Sequence, residues 1–396
     1  MIADKAPWPP HAGDKVRLLQ YLTNAPKHWE TTVVAPAPPD EIEECSSELS
    51  KRGIEAHIVP GQPAVLSLRD CLRSWRRGRP LLCEKHKFAA VCTRADELLA
   101  SRRVDAVLVY RLAAVQHVPW ERTAQIPVFF DLVDANFPLV FEQRRGLPRW
   151  RSRVLSTIDG AVSCGYERRL CSRFASVFVS SWADAQSLAG VAGEVRVLPN
   201  AVHVDPMPAH LAGTERAGHL LLIGGWSYFP NLDAAQWLCR EILPLVVARS
   251  DVPVNLKLVG PHPECLTHLS GDHVSICGVV EDLAPLMAEA SVIPLPFRYG
   301  LGTRLKLLEA MAHGKGIVST SRGIRDICVE HGKSALVADT AKGFADALCE
   351  LLDNPRKRHA LGANARSVAE RDHDARRTTA ELFGYIEASM ERQWRQ

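Results

Sequence analysis

The stretch SVIPLPFRYGLGTRLKLLEAMAHGKGIVST, residues 291–320, decides the fold. It opens on an apolar run over 291–296 that reads as a buried strand. A loop bearing Gly300 and Gly302 follows, and a helix begins near Thr303. A second short apolar run, 316–320, closes the unit. Both strands are apolar on both faces, as a parallel sheet covered by helices on each side requires. The loop also carries chemistry. Glycine lets a ligand approach the backbone, and a helix start presents unpaired N–H groups at a positive dipole end, a place for phosphate. Arg304 and Lys306 put cations in that first turn, where they are unfavourable unless an anion compensates them. Glu309 lies one turn further on, placed to accept hydrogen bonds from a vicinal diol. Taken alone, G-x-G before a helix is a weak signal, and all three charged residues equally suit a solvated helix face. The flanking segments shift that balance.

Working outward, the same alternation extends through the second half. Runs at 219–224, 255–260, 274–279 and 335–338 read as further strands, with helical stretches at 232–247, 283–290, 303–313, 344–352 and 355–370. The first half shows a looser version, with strands at 31–35, 54–59, 105–110, 128–132, 176–180 and 195–198, and helices at 14–24, 92–101 and much of 136–173. Only Met1 to Ala6 precede Pro7, so the first strand is expected to be unusually short, and a start codon further upstream is one reading of that. The expectation is α/β: two Rossmann-like doubly wound domains facing a cleft, spanning 1–203 and 219–374. The segment 204–218, rich in Pro, Gly and polar residues, reads as their linker. A last helix over 375–396 has no strand partner and is expected to pack back on the first domain.

Composition narrows the function. The 396 residues carry 48 Lys and Arg against 45 Asp and Glu, a net charge of +3. Residues 1–200 hold +5 and the remainder −2. That balance is too weak to imply nucleic-acid binding by bulk electrostatics. No apolar run reaches the ~18 residues that cross a bilayer, and the N-terminus lacks a charged-then-apolar leader. A cytoplasmic protein is expected. Eleven cysteines without a C-x-x-C pair read as reduced thiols. Cys83 and His86 have a loose ligand spacing that no second pair completes, so no metal is expected.

From 221 to about 363, the chain resembles the C-terminal domain of a GT-B glycosyltransferase of family GT4, the glycosyl transferases group 1. The resemblance rests on IGGWSYFPNLDAAQWLCREILP (223–244), LKLVGPHP (256–263), ICGVVEDLAPLMAEASVIPLP (276–296), GLGTRLKLLEAMAHGKGIVST (300–320) and HGKSALVAD (331–339). In the first half, APWPPHAGDKVRLLQYL (6–22), VFFDLVDAN (128–136), YERRLCSRFASVFVSSWAD (166–184) and VRVLPNAVHV (195–204) are similar to the partner domain, with Asn200-Ala201 where Asn-Gly is usual. The resemblance implies retaining transfer of a sugar from a nucleotide diphosphate donor to an acceptor hydroxyl, with no metal or other cofactor. It implies donor contacts from Gly13, Gly224, Gly225, Gly278, Gly302, Thr303, Arg304, Lys306 and Glu309, with Arg304 and Lys306 acting on the leaving group. Glu309 corresponds to the second glutamate of the family's E-x7-E motif, which holds the ribose. The first falls on Leu301, and the basic pair usual after the domain's first strand is replaced by Gly224 to Ser227. Arg304 and Lys306 are expected to take over that phosphate charge. Asn231 reads as a helix cap.

On the acceptor side, Arg111, Asp131 and Asp134 sit at expected strand ends, where loop and cap roles suit the carboxylates equally well. His117 falls late for the family's histidine and reads as a surface residue. Basic-aromatic runs at 74–79 and 143–153 fit either solvated faces or peripheral contact with the inner face of a membrane. Two other functions fit the same pattern: a catalytically silent nucleotide-sugar-binding protein, suggested by Leu301, and a GT-B epimerase. A dehydrogenase does not fit, because no G-x-G-x-x-G follows an N-terminal strand.

Overall fold

The computed structural model describes residues 1–10, 12–135, 150–190, 193–206, 211, 213–300 and 304–394. The chain divides into two units, Met1–Pro199 with Ala375–Gln396, and Asn200–Asp374. Both are doubly wound α/β units built on parallel sheets, the class the apolar runs imply.

The first unit holds seven strands: β1 Ile2–Ala3, β2 Thr32–Ala37, β3 Glu55–Pro60, β4 Val107–Tyr110, β5 Val128–Val133, β6 Ser176–Val179 and β7 Val195–Val197. Their order is β3-β2-β1-β4-β5-β6-β7. Successive side chains enter opposite cores. Val107, Val109, Phe130, Val177 and Val179 join one apolar cluster, whereas Leu108, Tyr110, Phe129, Val133 and Phe178 join the other. That is the two-unit period of a strand buried on both faces. Strand β1 is only two residues long, yet Ile2 pairs with both Val34 and Val109 and so holds the centre of the sheet together. The last helix, Ala375–Trp394, belongs to this unit: Leu382, Ile386 and Met390 pack in the cluster that contains Leu18, Tyr21 and Phe178.

The second unit runs β8 His219–Ile223, β9 Asn255–Val259, β10 Val274–Cys277, β11 Val292–Leu295, β12 Gly316–Ser319 and β13 Leu336–Val337, in the order β10-β9-β8-β11-β12-β13. Neighbours in that order switch from descending to ascending sequence between β8 and β11. That reversal is the topological switch point, at whose carboxyl ends open α/β sheets bind ligands. The division between units falls at Pro199 and Asn200, and residues 200–206 lie with the second unit. There the Val202 N–H donates to the His373 carbonyl at 2.9 Å. Within the expected linker, 207–210 and 212 lie outside the described residues.

One buried polar cluster braces the first unit. Arg17, on the helix Gly13–Thr23, donates from Nε to Asp131 Oδ2 at 2.9 Å and from Nη2 to Oδ1 at 3.3 Å. The Tyr21 hydroxyl donates to the same carboxylate at 2.9 Å, and the Val133 N–H caps the other oxygen at 3.0 Å. Asp131 is fully buried and spends its lone pairs inside the fold, so it does not reach an acceptor as the sequence suggested. Removing one partner strands a buried guanidinium, which typically costs about 3–5 kcal/mol. Asp131→Ala is therefore expected to lower unfolding free energy by that amount in urea titration. A loss below about 1 kcal/mol would show the pair to be dispensable.

Candidate functional site

The crevice at the β8/β11 switch is built by two loops that lock together. After β8 come Gly224 and Gly225, then the helix Phe229–Trp237. After β11 the chain runs through Phe297, Tyr299 and Gly300 to the helix Leu305–Ala312. The rings of Phe229 and Tyr299 lie 5.1 Å apart. Asn231 joins the loops chemically. Its amide nitrogen donates to the Gly225 carbonyl at 2.9 Å, and its Oδ1 accepts from Lys306 Nζ at 2.7 Å. Asn231 is thus not the helix cap expected from sequence. The cap position is Tyr228, whose side chain makes no capping hydrogen bond, and Asn231 lies inside the helix, bonded to the lysine.

Two glycines make this packing feasible. Gly260, just past β9, has φ +142, and a Cβ there would meet the Gly224 carbonyl oxygen at 2.0 Å. A Cβ on Gly224 would lie 2.9 Å from the fully buried Trp226 ring. Backbone and indole therefore approach only because both side chains are hydrogen.

The charged groups in this crevice are poorly compensated. Burial pushes the Lys306 amine down to about 7, and the neighbouring Arg304 charge adds to that, against an opposing pull from Glu309. Burial pushes the Glu309 carboxyl up to about 7, with Lys306 opposing. Burial also lowers Arg304, to about 10, and repulsion from Arg322 contributes. The Arg304 guanidinium stands 4.0 Å from the Phe297 ring centroid and donates to the Tyr299 carbonyl at 2.6 Å, but its Nε has no partner among the described residues. Arg322 was not singled out by the sequence reading. It sits on the loop after β12, which is clasped to the β11 loop by a 2.6 Å hydrogen bond from Thr320 Oγ1 to the Phe297 carbonyl. The sequence signal for it was present: a polar Ser-Arg-Gly directly after a buried strand of the same sheet.

The structure thus brings together Gly224, Gly225, Arg304 and Lys306, with Glu309 one turn along. Gly302 and Thr303, with Leu301, lie outside the described residues. Gly278 follows the edge strand β10, which two strands separate from β11; it is exposed and accepts from the Gly260 N–H at 3.1 Å. The remaining expected residues lie in the first unit. Gly13 starts its helix and is exposed. Arg111, at φ +70, bonds Asp4 at 3.0 Å and Asp14 at 3.1 Å, and Lys5 bonds Asp14 at 2.7 Å. Asp134 accepts from Ser180 Oγ at 2.7 Å, and burial raises its carboxyl. His117 is not a surface residue. It is 1% exposed, accepts from the Phe88 N–H at 3.1 Å, and burial lowers it to about 4. Those four residues 112–115 that precede it in the turn are apolar and bury the ring with them.

Residues 217–354 match the family described as glycosyl transferases group 1. Among solved structures, HepE of Anabaena in complex with UDP and glucose superposes at TM-score 0.67, with 17% identity over 98% of each chain. Sucrose-phosphate synthase of Thermosynechococcus elongatus gives 0.66, with 15% identity over 95% of this chain and 93% of that one. WaaG, a glycosyltransferase involved in lipopolysaccharide biosynthesis, gives 0.61, with 15% identity over 96% and 97%. At those identities the likeness is one of fold, the two-domain GT-B architecture. No curated protein matches the chain in sequence.

Gly260→Ala is expected to destabilise the second unit by more than the ~1–3 kcal/mol of ordinary overpacking, because the obstacle is backbone on both sides. Limited proteolysis of the variant, with the cleavage sites mapped, should show that unit opening first. Protection equal to wild type would refute the close approach.

Proposed function

We propose that this chain, whose residues 217–354 match the glycosyl transferases group 1, is a glycosyltransferase that moves a sugar from a nucleotide diphosphate donor to an acceptor hydroxyl with retention of anomeric configuration. The reading is carried by one observation: Lys306 and Arg304 are buried together at a helix start with no carboxylate bonded to either among the described residues. A diphosphate supplies the missing counter-charge. Glu309, one turn along, accepts the two hydroxyls of the ribose.

In the reaction, the bond between the anomeric carbon and the diphosphate oxygen breaks, and the nucleoside diphosphate departs with the electron pair. The acceptor oxygen bonds the anomeric carbon on the face just vacated, and its proton passes to a donor phosphate oxygen. Negative charge grows on the leaving phosphate while the sugar ring becomes positive. Fixed cations therefore stabilise the transition state more than the ground state. No protein nucleophile and no metal are required on this scheme. Removing one preorganised donor of this kind costs about 10²–10³ in kcat, which is the loss expected for Lys306→Ala. The acceptor is a saccharide, a lipid-linked glycan or a small natural product. HepE has been solved with UDP and with UDP-glucose, so uridine donors head the series to be tried, with GDP- and dTDP-sugars beside them in a thermal-shift screen. Release of nucleoside diphosphate only when acceptor is present supports transfer. Binding without release would support the silent binding protein instead.

The two shifted groups fix a pH signature. A bound diphosphate favours the charged lysine, so above pH 7 binding must take up a proton, and affinity falls as pH rises. The ribose hydroxyls favour the charged carboxylate, so below pH 7 binding must release a proton, and affinity falls as pH drops. Donor affinity is expected to peak near pH 7 and to change by up to about tenfold per pH unit on either side. Lys306→Ala should flatten the alkaline limb and Glu309→Gln the acid limb, as read by calorimetry in two buffers. A pH-independent affinity would remove both assignments. Glu309→Ala should weaken donor binding strongly without unfolding the chain.

A further inference from the structure

The first unit carries an apolar, arginine-rich face that the sugar-transfer reading does not use. Two helices form it, Leu68–Arg76 and Trp150–Cys171. They are held side by side by Asp159, whose Oδ1 accepts from Trp75 Nε1 at 2.9 Å and from the Leu81 N–H at 2.8 Å, and by Arg169 Nη2, which donates to the Gly78 carbonyl at 3.1 Å. Among the described residues, eleven large apolar side chains are exposed, and six of them lie on these two helices. They are Leu68, Leu72, Trp150, Val154, Leu155 and Ile158, with exposures from 38 to 69%. Scattered singly they would need no explanation. Gathered on one helix pair, they mark an interaction surface.

The charges around them select the partner. The run SLRDCLRSWRRGR, residues 67–79, holds five arginines and a single acid. That acid, Asp70, is spent in a capping box, accepting from Ser67 Oγ at 2.6 Å and from the Ser67 N–H at 3.0 Å. Arg69, Arg73, Arg76 and Arg77 are exposed. On a helical wheel Leu68 and Leu72 fall on one side, with Arg69, Arg73 and Arg76 beside them. A protein–protein interface ordinarily has a centre depleted of charge within a polar rim. A surface-lying helix with apolar residues flanked by arginine is instead the pattern that enters the headgroup region of an anionic bilayer. We propose that this helix pair docks the chain on an anionic phospholipid surface, with Leu68, Leu72, Val154 and Ile158 entering the acyl boundary and the arginines seated among the phosphates. Among the described residues no helix is long and apolar enough to cross a membrane, so the attachment is peripheral and reversible.

The surface belongs to the first unit and shares no residue with the donor site of the second, so its failure and that of the transfer reading are separable. Cosedimentation of the full chain with vesicles tests it. Phosphatidylcholine vesicles containing 30 mol% phosphatidylglycerol should bind the chain, pure phosphatidylcholine vesicles should not, and raising salt from about 0.1 to about 0.5 M should release it. Each arginine removed should weaken binding about fivefold, equivalent to ~1 kcal/mol, so Arg73→Ala with Arg76→Ala gives roughly 25-fold. Leu72→Ser with Ile158→Ser should weaken it at least as much, and at these exposed positions the melting temperature should not move. Three results would overturn the proposal: no binding to the anionic vesicles, equal binding to both compositions, or a dimer in light scattering that Leu72→Ser dissociates.

Discussion

A buried lysine bonded to no carboxylate among the described residues is the constraint on which the second unit turns. Lys306 donates to Asn231, stands 5.4 Å from the Phe297 ring centroid, and bonds no carboxylate among the described residues. Burial of an unpaired ammonium is resolved by loss of the proton or by arrival of an anion. Arg304 two residues earlier makes the first outcome easier and the second more favourable, because one anion relieves both desolvation and mutual repulsion. The buried cations are therefore electrostatically unfavourable as a pair, and an anion beside them would relieve both.

The fold keeps this arrangement from relaxing. A lysine on an exposed helix start would swing into water. Here Asn231 holds it, the Gly225 carbonyl orients Asn231, and the Gly224–Gly260 backbone contact fixes the loop carrying Gly225. Three loops from three strands converge: those after β8, β11 and β12, the last through Thr320 on the Phe297 carbonyl. The links are 2.6–2.9 Å hydrogen bonds, so the cationic pair is held by the fold itself, which is what preorganisation requires.

Much of this was legible in the sequence, for a physical reason. Strands buried on both faces are short unbroken apolar runs, and all six of the second unit could be located within a residue or two at each end. Helices carried by polar residues were not. Ile42–Lys51 and Leu68–Arg76 were missed, since each buries only one or two side chains and so shows little apolar period. At the site, local signals were readable and distant ones were not. Gly300, Arg304, Lys306 and Glu309 fall within ten residues, whereas Asn231 meets Lys306 across 75. Asn231 looked like a cap because Asn near a helix start usually is one. Asp131 and His117 misled in the same manner: a polar residue at a strand end suggests solvent, but Arg17 and Phe88, 114 and 29 positions away, supply interior partners.

The two units make the decisive contrast. Both have the same crossover reversal, β1 against β4 and β8 against β11, and both place charged residues at its carboxyl end. In the first unit Arg111 and Lys5 are matched by Asp4 and Asp14 at 2.7–3.1 Å. An anion arriving there would have to displace carboxylates already bonded, and would gain little net charge interaction. In the second unit neither Arg304 nor Lys306 bonds a carboxylate among the described residues, and the ionisation of Glu309, one turn along, is suppressed by burial. Equal topology supplies two crevices, but charge balance closes one to phosphate and opens the other. The difference between the two units thus follows from which carboxylates each retains: the first has its cations already neutralised, whereas the second buries cations that an anion would relieve.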